Sequence, residues 1–155
     1  MAYTRKEYVG SVPLSKITIF QVGDPNLTYD YEVTLTAKNA CEVSSSSLES
    51  IRIHINRSLA AKFTKSKFYF KIPVYPHQIV RAHSALGFAG ADRISKGMQK
   101  AFGKPKTRSA MIKRGRIIAF VRVMSREEAV YARAILGGAL KKIHIEGQIS
   151  TKKLV

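Results

Sequence analysis

Acidic residues are scarce in this chain, ten Asp and Glu against 27 Lys and Arg over 155 residues, and tryptophan is absent. The deficit of acid leaves a formal net charge of +17 at pH 7, which selects a polyanion as partner. Cysteine is reduced to Cys41, so no internal disulfide and no zinc finger can form, and a reducing cytoplasm is the expected address. Long apolar runs are also missing. The longest is Ile117 to Val121, five residues, where a membrane span needs about 20, and MAYTRKEYVG has no apolar secretory core. Catalytic constellations are equally thin. His77 and His83 flank Arg81 with no carboxylate pair or second cysteine beside them, so neither a metal site nor acid–base chemistry is expected. Gly103, Lys104 and Pro105 lack the Ser or Thr that a nucleotide-hydrolysing loop requires after its lysine. GFAG at 87–90 matches the GxxG clamp of KH domains in only two fixed positions, a weak signal. No enzyme activity, cofactor or metal is expected.

What the chain does have is a concentration of positive charge. Residues 81–116 hold ten basic residues and one acid, Asp92, a net +9 of the total +17. By halves, residues 1–80 carry ten basic and six acidic residues and 81–155 carry seventeen and four. Residues 84–109 show no sustained apolar period and contain Gly87, Gly90, Gly97, Gly103 and Pro105, which predicts a long basic loop projecting from a folded body. Each phosphate neutralised by such a segment releases condensed counterions, so nucleic acid is the expected ligand. The alternative to an RNA-binding loop is a merely solvated charged face. Arg5 and Lys6, beside Tyr3 and Tyr8, read equally as backbone-tracking residues or as a frayed tail.

Periodicity predicts one α+β domain over 1–155, an antiparallel sheet sandwich with two helices and the long basic internal loop. Strands are expected over 16–22 and 29–37, paired with each other across the GDPN turn, and Tyr31, Val33, Leu35 and Ala37 share one face of the second. Ser46 with Glu49 predicts a capping box ahead of a helix whose apolar stripe is Leu48, Ile51, Ile55, Leu59 and Phe63, with His54 on the solvated side. Residues 67–75 alternate as a strand, with Pro73 marking an edge or bulge. A hairpin is expected over 108–123 with KRG at 113–115 as its turn, so that Arg114 and Arg116 project from its tip. Ser125 with Glu128 predicts a second capping box, opening a helix that Gly137 and Gly138 weaken or end. Ile143, Ile145 and Ile149 predict a last strand with a bulge at Gly147 and His144 and Glu146 on its outer face, then a short basic tail.

Beyond these patterns, AGADR at 89–93, SKGM at 95–98 and AFGKP at 101–105 resemble the central segment of the large-subunit ribosomal protein family called L-ten-e in archaea and eukaryotes and L-sixteen in bacteria. AYTRKEY at 2–8, YFKIPVYPHQIVR at 69–81 and RGRIIAFVRV at 114–123 are similar to the archaeal form. Family members commonly carry a basic segment ahead of the AYTR motif, so a short or divergent member is implied. The resemblance implies a structural protein that binds large-subunit rRNA near the peptidyl transferase centre and the aminoacyl-tRNA site, in contact with neighbouring ribosomal proteins and not as a homo-oligomer. The implied location is the cytoplasm, on the ribosome. A free RNA-binding or RNA-chaperone factor is the alternative. The expected nucleic-acid-binding residues are Arg5, Lys6, Arg81, His83, Arg93, Lys96, Lys100, Lys104, Lys106, Arg108, Lys113, Arg114 and Arg116.

Overall fold

The structure, a computed structural model, describes residues 3–63, 67–82, 103–143 and 145–154. The strands among them are β1 (Tyr3–Arg5), β2 (Gln21–Gly23), β3 (Tyr31–Ala37), β4 (Cys41–Ser44), β5 (Phe68–Lys71), β6 (Gln78–Ala82), β7 (Lys104–Ile112), β8 (Ile117–Val123) and β9 (Gly147–Lys153). The α-helices are α1 (Ser45–Lys62) and α2 (Arg126–Ile143). Two antiparallel sheets result, one of four strands in the order β1-β6-β7-β4 and one of five in the order β2-β5-β8-β3-β9. The fold is α+β, as the pattern of apolar residues predicts.

Alternation places Val33, Leu35, Val121 and Val123 on the inner face of the five-stranded sheet, where they are fully buried with Phe68 and Phe70. α2 covers that face, while α1 packs on β4 and β7 of the other sheet and against α2. Leu48, Ile51, Ile55 and Leu59 of α1, and Ala129, Ala132, Leu136 and Ala139 of α2, complete the core. The helices run antiparallel, since Tyr131 donates to the Ser58 carbonyl at one end while Gly138 meets His54 at the other. His54 is therefore half-buried between helices rather than on the solvated side.

Several expected elements are arranged differently. Ser44, not Ser46, caps α1 by accepting from the Ser47 amide at 3.2 Å, and Glu49 instead forms a two-pronged pair with Arg52. With four consecutive serines available, the end of β4 decides which one caps. The second box forms as expected, Glu128 accepting from the Ser125 amide at 3.1 Å. β2 covers only 21–23 and pairs with β5, while β3 pairs with β8 and β9, so the anticipated partnership across GDPN does not form. β7 and β8 do not make a hairpin either. They lie in different sheets, and the 113–116 connection turns the corner between them. α2 continues through both glycines and includes Ile143, and the expected tail is largely β9, which ladders onto β3 from Gly147 to Lys153.

Candidate nucleic-acid interface

Of the loop expected over 84–109, residues 84–102 lie outside the described residues, with His83, Arg93, Lys96 and Lys100. Residues 104–109 belong to β7 and pair with β6, with a register shift between Val80 and Arg81. Lys104 and Lys106 stand exposed on this first half of β7. A strand so polar forms because the ladder, not an apolar face, holds it.

Arg81 and Arg108 point their nitrogens into the protein. Arg81 Nε donates to Thr4 Oγ1 and Nη1 to the Gly103 carbonyl, both at 2.9 Å, with the Tyr8 carbonyl 3.5 Å from Nη2. Arg108 Nε donates to the Pro13 carbonyl at 2.7 Å. Together they fasten the amino-terminal segment across β6 and β7. That segment is neither wholly a tail nor wholly free, for β1 pairs with β6 through Tyr3↔Val80 and Arg5↔Gln78, leaving Arg5 and Lys6 exposed.

Lys113, Arg114 and Arg116 are all exposed in the corner between the sheets. Gly115 turns the chain at φ 78°, a left-handed conformation that side chains disfavour. Its amide donates to the Ala37 carbonyl at 2.8 Å, and the Ala37 amide donates to the Arg116 carbonyl at 2.9 Å. The three cations therefore project from a turn bonded to the end of β3. Lys38, the next residue, is exposed beside them. Sequence reasoning missed Lys38 because the corner becomes its neighbour only through the fold.

Among the described residues the ion pairs are Lys38–Glu146, Arg52–Glu49 and Arg122–Glu32. Lys104, Lys106, Lys113, Arg114 and Arg116 take no part in them. Arg122 also packs over the Phe120 ring at 5.2 Å and the Tyr69 ring at 6.0 Å, on the outer face of the five-stranded sheet. Burial pushes the Cys41 thiol up, away from the reactive thiolate, and His77 Nδ1 is engaged in donating to the Tyr75 carbonyl at 2.9 Å. No group of three or more His, Cys, Asp or Glu suited to a metal ion occurs among the described residues. No described helix is long and apolar enough to cross a membrane.

The family model for ribosomal protein L16p/L10e matches residues 1–150. Similar chains include the large ribosomal subunit protein uL16 of Picrophilus torridus, 42% identical over 122 residues, covering 79% of this chain and 69% of the relative. The uL16 of Staphylothermus marinus is 36% identical over 98% of this chain and 87% of its own length. That of Hyperthermus butylicus is 34% identical over 95% and 81%.

Proposed function

The chain belongs to the ribosomal protein L16p/L10e family, and from that premise we propose that it is a structural, non-catalytic component of the large ribosomal subunit in the cytoplasm. It binds large-subunit rRNA near the peptidyl transferase centre and the aminoacyl-tRNA site, among neighbouring ribosomal proteins and without forming a homo-oligomer. The observation that carries this reading is the net +9 over residues 81–116, whose described lysines and corner arginines form no internal ion pair. Charge left unpaired in the fold is available to phosphate.

The expected RNA-binding residues divide by what their side chains already do. Lys104, Lys106, Lys113, Arg114, Arg116, Arg5 and Lys6 offer exposed cations for direct contacts. Arg81 and Arg108 act chiefly by holding the surface in place, since their nitrogens are bonded within the protein. His83, Arg93, Lys96 and Lys100 are assigned to RNA by the family resemblance, which also directs their segment toward the tRNA acceptor region.

The test is fractionation of cell lysate on a sucrose gradient at low salt with tagged protein. Co-sedimentation with the large subunit is expected, whereas protein remaining at the top of the gradient would mark a free RNA-binding factor and overturn the ribosomal reading. Replacing residues 84–102 by a short Gly/Ser linker, with β7 left intact, should preserve sedimentation with the subunit and reduce peptide synthesis. Unchanged synthesis would remove the tRNA-site assignment.

A further inference from the structure

β7 keeps the exposed, described cations of the basic segment in two groups. Lys104 and Lys106 lie at its start, and Lys113, Arg114 and Arg116 follow its end at Ile112. At about 3.3 Å per residue, the eight steps from Lys104 to Ile112 span about 26 Å. Exposed charges are screened over about 8 Å at physiological ionic strength, so phosphate held by one group adds little attraction at the other.

The corner group is larger than its sequence neighbourhood. Hydrogen bonds of Gly115 and Arg116 with Ala37 bring it to Lys38, whose side chain is 67% exposed. One carboxylate intrudes, Glu146, at 3.9 Å from Lys38 Nζ and accepting from Asn39 Nδ2 at 3.1 Å. It is itself 68% exposed, and a pair so fully in water is too weak to withhold Lys38 from a phosphate. Because the turn is fixed by backbone hydrogen bonds, docking there orders side-chain tips rather than a loop, which lowers the entropic cost of binding.

We propose that Lys38, Lys113, Arg114 and Arg116 form a second RNA-phosphate site, independent of the Lys104–Lys106 end of β7, and that the protein thereby ties two RNA segments together. The proposal rests on the rRNA-binding reading above and adds to it a division of labour. With one segment bound, capture of a second segment of the same RNA becomes intramolecular and proceeds at a raised effective concentration. A small protein can in this way fix the distance between two rRNA elements that have little affinity for each other.

The experiment uses the full chain and two RNA hairpins of about 20 base pairs, one on beads and one fluorescent, at about 0.1 M monovalent salt. Unmodified protein is expected to retain the fluorescent hairpin on the beads and to saturate at two hairpins per chain. The Lys113→Gln/Arg114→Gln/Arg116→Gln variant is expected to keep one bound hairpin per chain while bridging falls by about tenfold or more. The Lys16→Gln/Lys67→Gln/Lys153→Gln variant, with the same loss of charge at exposed positions elsewhere, should bridge like the unmodified protein. Saturation at one hairpin, or undiminished bridging by the corner variant, overturns the proposal and leaves the rRNA reading standing. Failure to bind either hairpin overturns both. The stoichiometry is read on the unmodified protein, so the outcome does not depend on a variant folding.

Discussion

Arg81 reaches three segments at once, β1 through Thr4, the start of β7 through Gly103, and the turn at Tyr8. Removing it leaves carbonyl and hydroxyl acceptors without their charged donor. Arg81→Ala should cost about 1–3 kcal/mol in urea unfolding, whereas Lys104→Ala should stay within about 0.5 kcal/mol. Equal effects would mean that the Arg81 contacts contribute nothing. A count of charges sees two similar basic residues here, because composition records charge but not which groups a guanidinium touches. His54 behaves differently again. Burial between the helices, and then the Lys142 ammonium, hold its imidazole below the ordinary value. The unfolded state therefore binds the proton more readily. The stability tied to neutral His54 is complete above pH of about 6.5 and declines as pH falls toward the depressed folded value. Melting midpoints at about pH 7.5 and 5.5 should accordingly differ more for the unmodified protein than for His54→Gln. Identical differences would show that His54 is not the group responsible.

At the scale of the element, Gly23 is where β2 meets β5 most closely. Its φ is 99°, and a Cβ there would lie 2.0 Å from the Phe68 carbonyl oxygen, a backbone atom that cannot swing aside. Gly23→Ala should therefore lower stability by at least about 2 kcal/mol. Gly10→Ala, with nothing within 4 Å of the added Cβ, should be neutral or mildly stabilising, by no more than about 1 kcal/mol. Thermal melts of the two variants give the comparison. These elements also show where sequence stops being legible. β3, α1 and α2 each bury one face, and burial prints a period on the sequence. β9 leaves Gln148, Ser150 and Lys152 in water and half-buries Ile149, so its ladder with β3 leaves little trace in residue type. The first half of β7 is obscure for the same reason. The Lys113–Arg116 turn was readable as a turn, and its exposed cations with it, but a glycine turn between apolar strands looks alike whether the strands pair or diverge into separate sheets.

For the whole molecule, the surface charge should govern affinity more than any single contact. Log affinity for RNA should fall by more than about two units per tenfold rise in salt, since each phosphate contact contributes a slope of about −0.7 to −0.9. A shallower dependence would mean that fewer than about three phosphates are engaged and that most of the basic surface is only hydrated. The position of β3 has a consequence in time. Its neighbours, β8 and β9, are both made long after it, and Thr34 bonds Ser150 across 116 residues. At about 5–20 residues per second, on the order of 10 s separates their synthesis. Until β8 emerges a nascent chain holds both edges of β3 open, and until β9 emerges one of them, because no earlier strand in the five-stranded sheet pairs with it. The sheet therefore closes only once β9 has emerged, and for the whole of that interval an unpaired strand edge is open to pairing with another chain.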